Sequence, residues 1–322
     1  MDTVRWGIIG CGDVTEVKSG PGFQKATNSR LVAVMRRTGH LAKDYAERHG
    51  VPRWYDDADA LINDPEVDAV CIATPPNSHK EYTLAVAAAG KPVYVEKPMA
   101  LNYSECQEMV AACSAADVPL FVAYYRRCLP RFVKIRALIE EGAIGKIRAV
   151  STTLFMPPNP NNNDDQVSWR VVPEIAGAGL FYDLSAHTFD FLDYVLGPID
   201  AARGYTRNQA GLYEAEDIVS ASFSFQSGAQ GSGTWCFSSY YNHDQTDIVG
   251  TKGHISFATF AEQPVILTTS VGTTPFEIAH PGHVQQPLIQ TIVDDLLGKG
   301  KCPSTGESGA RTNWVMDQIL GK

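Results

Sequence analysis

Three sets of residues in this chain of 322 have the types and spacing that chemistry needs. The first is Glu96-Lys97-Pro98, which closes the apolar run Val93-Tyr94-Val95. That run has the β-branched and aromatic character of a buried strand, so Lys97 stands at the end of a rigid element, where open α/β sheets bind ligands. Glu96 beside it can hold the ammonium in place or tune its pKa. A lone Glu-Lys pair can equally be an ordinary solvated ion pair at a strand end. The second set is Asp183 and His187, four residues apart in an apolar-periodic stretch and therefore on one helix face. A histidine titrating near pH ~6.5 suits a proton exchanged at neutral pH, and a carboxylate one turn away orients the ring and stabilises its charged form. Such assistance is worth roughly 10²–10⁴-fold in rate. A lone helical histidine, however, is more often structural. The third set is Gly10-Cys11-Gly12-Asp13-Val14-Thr15. It reads G-x-G-x-x-T where the dinucleotide fingerprint has G or A last. Its glycines permit a tight turn whose amides approach a pyrophosphate at a helix N-terminus.

The elements that must position these groups alternate. Strands are expected at Val4–Ile9, Arg30–Met35, Val67–Ile72, Val93–Pro98 and Pro119–Ala123, and helices at Leu41–His49, Asp57–Ile62 and Ser78–Ala89. Alternation over ~120 residues predicts a parallel, doubly wound sheet. Ser19-Gly20-Pro21-Gly22 is expected to interrupt the first helix after about one turn, because proline lacks a donor and glycine weakens helices. Arg36-Arg37 follows the second strand, where an NAD site would place Asp or Glu for the ribose 2′-hydroxyl. Two arginines there suit a 2′-phosphate, which favours NADP over NAD. The loop Ala73-Thr74-Pro75-Pro76-Asn77-Ser78-His79 begins at a strand's carboxyl end, kept extended by its prolines. Thr74, Pro75, Asn77 and His79 are the cofactor contacts expected from it, although Asn77 or Ser78 can equally be only the cap of the next helix. Asn102, with Glu105 three residues on, is a helix start.

Farther along, Arg131–Glu141 is expected as a helix and Lys146–Phe155 as a strand. Residues 157–165 are too rich in proline and asparagine for regular structure and are read as a lid or equally as an idle loop. A helix runs from Phe181 to about Leu196. Strands follow at Val219–Phe225, Gln230–Phe237, Thr246–Val249 and Ile255–Phe257, with Gly250-Thr251-Lys252-Gly253 as a hairpin turn, so an antiparallel sheet is expected, packed on one face by the two helices. Tyr240, Tyr241, Asn242 and His243 can line a sugar pocket or form a surface loop. Gln286–Leu297 and Glu307–Leu320 close the chain as helices.

A net charge of −9 argues against non-specific nucleic-acid binding, which needs a cationic surface. No window approaches the ~18 apolar residues of a membrane helix. Met1–Trp6 leads directly into a strand, so no signal peptide is expected. Seven cysteines, an odd number without a CxxC pair, suggest reduced thiols in the cytoplasm. His280 and His283 have metal-compatible spacing but no evident third ligand, so no metal is expected.

The fingerprint at residue 10, Ala73-Thr74-Pro75, Glu96-Lys97-Pro98 and the later Gly177-Ala178-Gly179-x-x-x-Asp183-x-x-x-His187 together resemble the glucose–fructose oxidoreductase/inositol dehydrogenase (Gfo/Idh/MocA) family over nearly the whole chain. The resemblance implies a Rossmann domain at 1–123 and an α+β substrate and oligomerisation domain at 124–322, its last helix returning to the nucleotide domain. The fold class is thus α/β: a doubly wound parallel sheet plus a large, mainly antiparallel open sheet. It also implies that Lys97 lies near nicotinamide and substrate, with Glu96 and Pro98 beside the cofactor. Val122–Pro130 looks like the family's Val-Gly-x-Asn-x-Arg-x-x-Pro segment, with Tyr125 in place of Asn and Arg127 in place. Tyr125, Arg127 and Trp169 are accordingly expected at the substrate and Arg170 at the cofactor. The implied activity is NAD(P)-dependent oxidation or reduction at a CH–OH carbon of a sugar or polyol, with Lys97, Asp183 and His187 as catalytic residues, in a homodimer or homotetramer. Relatives differ over whether the lysine or the histidine is the base. Two other functions compete with it: a non-catalytic dinucleotide-binding sensor, and a glycosidase that keeps NAD tightly bound.

Overall fold

The structure is a computed structural model that describes residues 2–158 and 167–322. Apart from Pro157 and Pro158, the expected lid lies outside the described residues. The chain divides into two compact units, one made of the residues up to Leu129 with His280–Ala310, the other of Pro130–Ala279 with Arg311–Lys322.

In the first unit six strands form one sheet: β1 (Val4–Ile9), β2 (Ser29–Met35), β3 (Arg53–Tyr55), β4 (Ala69–Ile72), β5 (Val93–Val95) and β6 (Leu120–Val122). Their order is β3-β2-β1-β4-β5-β6 and every pair is parallel. The order reverses between β1 and β4, the switch point outside whose carboxyl ends such sheets bind ligands. β4, β5 and β6 are wholly buried, as parallel strands covered on both faces must be. β3 was not among the expected strands. It is a short, partly exposed edge, and Arg53-Trp54-Tyr55 is too brief to show a period.

The first helix departs from expectation. Ser19-Gly20-Pro21-Gly22 does not interrupt it: the helix runs from Asp13 to Lys25, with a π-helical stretch at Thr15–Ser19. The Gly20 N–H reaches back five residues to the Thr15 carbonyl, and Pro21 falls in the first turn of the α segment, where a missing N–H matters least. The carbonyl that Pro21 cannot serve, that of Val17, lies 2.7 Å from His283 Nδ1. His283 Nε2 lies 2.6 Å from Lys25 Nζ, so this histidine is engaged by the first helix on both sides of its ring.

The second unit holds an eight-stranded sheet. Its strands are β7 (Ile147–Phe155), β8 (Ile199–Arg207), β9 (Ile218–Phe225), β10 (Gln230–Cys236), β11 (His243–Gly250), β12 (Gly253–Phe257), β13 (Val265–Thr269) and β14 (Gly272–Phe276). They lie in the order β14-β13-β12-β11-β7-β10-β9-β8, antiparallel except for the pair β7–β10. Helices Pro130–Glu140 and Leu180–Leu196 cover one face through interlocked rings. Phe132 meets Phe191 at 4.8 Å and Phe257 at 6.0 Å, and Phe181 and Phe189 meet Trp235 at 5.0 and 5.4 Å. The period of two puts Val150, Thr152 and Leu154 of β7 inward, and Ser151 with the neighbouring Ser222 and Ser232 outward.

Candidate active site

The glycine turn follows β1 directly. Gly10 has φ +91°, and a Cβ there would stand 2.8 Å from Thr74 Cγ2, so side-chain-free backbone is required where the turn meets the 73–79 loop. The N–H groups of Gly10 and Cys11 both donate to the Met35 carbonyl at the end of β2. Thr15, in the place of the usual small residue, closes the turn: its buried hydroxyl donates to the Gly12 carbonyl at 2.8 Å and accepts from the Gly12 N–H at 3.1 Å. Over Gly12 there is open space, since an added Cβ would meet only the Gly10 oxygen, at 4.0 Å. Open backbone at the start of a helix beginning at Asp13 fits a pyrophosphate. Burial pushes the Cys11 thiol up to about 11, against the pull of the Arg36 charge, so Cys11 lines the turn as a neutral thiol. Arg36 and Arg37 are both exposed just past β2, and Asp13 and Asn77 are exposed as well.

Beyond β4, Pro75 is extended, and Pro76–Ser78 then form a 3₁₀ turn rather than continuing the extended loop. Ser78 Oγ donates to Thr74 Oγ1 at 2.8 Å. His79 departs from the contact expected of it. It has no exposed surface with which to meet a dinucleotide. Its Nε2 lies 2.7 Å from the Thr74 carbonyl, and its Nδ1 lies 3.1 and 3.2 Å from the carbonyls of Pro98 and Met99. The ring therefore ties the loop after β4 to the segment after β5. The Lys97–Pro98 bond within that segment is cis.

Glu96 is also buried and belongs to a short polar chain. Its Oε1 accepts from Gln285 Nε2 at 2.6 Å, and Gln285 Oε1 in turn accepts from the Tyr94 hydroxyl at 2.8 Å. Oε2 accepts the backbone N–H of Lys97 at 3.2 Å. Burial raises the Glu96 carboxyl above its ordinary value, and Gln285 and the charges of Lys97 and Lys18 offset part of that rise. Nothing in the sequence singles out Gln285, which is 189 residues away. The available signal was only a glutamine beside an apolar helix, and glutamines there are commonplace.

In the second unit, helix Leu180–Leu196 carries Asp183 and His187 one turn apart, both buried. Its start is fixed by glycines. Gly177 has φ +91°, and the Gly179 N–H donates to both carboxylate oxygens of Glu216, at 3.0 and 3.2 Å. The Asp183 carboxylate lies 3.5 Å from Arg170 Nε, and the Arg170 guanidinium stacks 4.5 Å over the Trp169 ring. Trp169 and Arg170, on the 3₁₀ turn Trp169–Val171, are thus brought to the acid of the acid–histidine pair. Phe260 meets the His187 ring edge-on at 6.0 Å. Back in the first unit, Tyr125 is buried under the Arg126 guanidinium at 5.2 Å, and the buried Arg127 donates to the Pro303 carbonyl.

A glycine turn opening a helix at the switch point of a doubly wound sheet is the geometry of a dinucleotide-binding fold. Residues 4–124 match the oxidoreductase family with an NAD-binding Rossmann fold, and residues 132–256 match the GFO/IDH/MocA C-terminal domain. The chain belongs to the Gfo/Idh/MocA family. It is 38% identical to oxidoreductase P35 of Formosa agariphila over 99% of its own length and 98% of that protein's. It is 30% identical to myo-inositol 2-dehydrogenase of Thermotoga maritima, covering 84% and 79% of the two chains. Among solved structures it resembles the aldose-aldose oxidoreductase of Caulobacter crescentus complexed with glycerol, with 26% identity, a TM-score of 0.88, and coverage of 99% and 97%. Among the described residues, no helix is long and apolar enough to cross a membrane.

Proposed function

We propose that the protein moves a hydride between a bound nicotinamide dinucleotide, which supplies or accepts it, and the hydroxyl- or carbonyl-bearing carbon of a sugar, polyol or related small polar substrate. The observation that carries this reading is the buried Asp183–His187 pair on one helix face, with Arg170 on the acid. His187 exchanges the hydroxyl proton, which a neutral imidazole accepts in oxidation and an imidazolium returns in reduction. Asp183 orients His187 or binds a substrate hydroxyl. Lys97 polarises the reacting oxygen. Gly10, Cys11, Gly12, Asp13 and Val14 would hold the pyrophosphate, and Thr74, Pro75, Asn77, Glu96 and Pro98 would lie along the rest of the dinucleotide. Myo-inositol dehydrogenase and aldose oxidoreductase among the relatives support the substrate class.

The test is mutational, on a panel containing myo-inositol, 1,5-anhydro-D-fructose, aldoses and glycerol with NAD and with NADP, followed by absorbance. His187→Ala and Lys97→Met should each lower kcat, His187→Ala by about 10²–10⁴-fold, while dinucleotide affinity is retained. If both variants bind cofactor and keep wild-type turnover, these roles are wrong.

Arg36 and Arg37, exposed and with no acid at either position, favour NADP over NAD. Replacing both with alanine should lower kcat/KM for NADP by about 10-fold or more and leave NAD nearly unaffected. A strong wild-type preference for NAD would overturn this assignment. The outward, serine-rich face of the eight-stranded sheet supports a homodimer or homotetramer, and cysteine usage supports a cytoplasmic location.

A further inference from the structure

We propose that residues 258–263, which lead from β12 toward β13, form a rigid clamp that positions the His187 ring through Phe260, so that Phe260 is a positioning residue for the reaction. The proposal rests on the reading of His187 as the proton carrier. The backbone of this short loop is held from two sides. The Asp244 carboxylate accepts three consecutive N–H groups, those of Thr259 at 3.0 Å, Phe260 at 2.6 Å and Ala261 at 2.9 Å. The Arg131 guanidinium donates to three of its carbonyls, those of Ala258 at 3.0 Å, Ala261 at 2.6 Å and Gln263 at 3.1 Å. Arg131 is 1% exposed, so these are charge-assisted bonds shielded from water. A solvent-facing turn between strands needs no such fastening. Loops ordinarily satisfy their backbone with water, and few have a buried cation and an anion devoted to them.

What the fastening delivers is one side chain. Phe260 meets the His187 imidazole at 6.0 Å between centroids with the planes at 70°, an edge-to-face contact. Ring torsions of this kind are broad and lack the sharp rotamer wells of aliphatic chains, so the heading of an imidazole is set by what packs against it. Asp183 stands one turn earlier on the same helix. Phe260 comes from the sheet side and completes the restraint. Arg131, Asp244 and Phe260 lie outside every motif that marks the dinucleotide or acid–histidine residues.

The experiment is steady-state kinetics on the full chain, with the best substrate of the panel above, for Phe260→Leu, Phe260→Tyr and Asp244→Asn. Phe260→Leu should lower kcat by about 10-fold, within the ~100-fold that a 1 Å misplacement of a reacting group costs, while KM for the dinucleotide stays unchanged. Phe260→Tyr, which keeps the ring, should restore kcat to within about 2-fold of wild type. Asp244→Asn, which loosens the loop without changing Phe260 itself, should lower kcat in the same direction. The deciding measurement is a double-mutant cycle: in a His187→Ala background, Phe260→Leu should cost no further turnover. An equal, independent loss in that background overturns the proposal, as does unchanged kcat in Phe260→Leu while His187→Ala alone is impaired. Full turnover in His187→Ala alone overturns the histidine's role and this proposal with it, a result that no Phe260 variant can mimic. Edge contacts between the Phe260 and His187 rings, read by NMR in wild type and lost in Phe260→Leu, report the restraint independently of activity.

Discussion

Glu96 is a buried ionisable group one residue from Lys97, and its charge is held against the preference of its surroundings. With its carboxyl raised by burial, the folded state keeps the proton to a higher pH than the unfolded chain does. Stability present below the ordinary value of 4.5 is therefore lost as pH rises through the folded value. Glu96→Gln should melt a few degrees higher than wild type at neutral pH, with the two proteins converging at acid pH, and should turn over more slowly. Thermal melts across pH decide it, and a lower neutral melting point would contradict the assignment. His79 has the opposite sign. Burial holds it below the usual histidine range, so stability is full above the ordinary value of 6.5 and is lost as pH falls from there toward the folded value. A neutral imidazole has one N–H, and removing it strands the carbonyl it serves, so His79→Leu should cost about 1–3 kcal/mol in denaturant unfolding and weaken dinucleotide binding. The sequence showed His79 as a polar residue in the right loop. It could not show that both ring nitrogens face backbone, because Pro98 and Met99 reach the ring only through sheet pairing of β4 with β5.

At the scale of elements, the helix bearing Asp183 and His187 was legible almost to the residue, since its apolar period and its glycine start are local signals. Why Gly179 must be glycine was not legible. A Cβ there would lie 2.7 Å from the Glu216 carbonyl oxygen and 3.0 Å from Ala215 Cβ, so the helix start is wedged against a distant loop. Gly179→Ala should lose about 1–3 kcal/mol of stability and lower kcat more than it changes dinucleotide affinity, as the helix start shifts. Calorimetry beside kinetics checks both, and a variant indistinguishable from wild type would refute the wedge. Four strands fall outside those expected, β3, β8, β13 and β14. β3, β8 and β14 are sheet edges, and β14, Gly-Thr-Thr-Pro-Phe, has no apolar alternation to read, whereas β13 is internal and too short to show a period. The first helix differs from expectation for another reason: Pro21 sits in the first turn of an α segment that follows a π-helical stretch, and the Val17 carbonyl it leaves is met by His283 from 266 residues away.

For the molecule as a whole, the proposed pairing with a second copy would use the outward face of the eight-stranded sheet, whose centre carries Ser151, Ser222 and Ser232. Ser222 and Ser232 are direct cross-strand partners on that face. Lysines at both would set like charges side by side, and the double variant should shift to monomer in light scattering while its unfolding midpoint moves by less than about 1 kcal/mol. Retention of the wild-type mass would remove that face from consideration.

By itself the sequence determined the alternation of strands and helices, the glycine turn, the Glu96-Lys97-Pro98 ending and the one-turn spacing of Asp183 and His187. Each is written in residues a few positions apart, where backbone geometry alone relates sequence to space. Only the tertiary structure decided what holds those groups: Gln285 on Glu96, His79 between two loops, Arg170 on Asp183, and Phe260 against His187. It also decided that β7 runs parallel to β10 and that His280–Ala310 belongs with the first unit. These partners meet across long stretches of chain, where burial and hydrogen-bond satisfaction choose the neighbour and no local pattern records the choice.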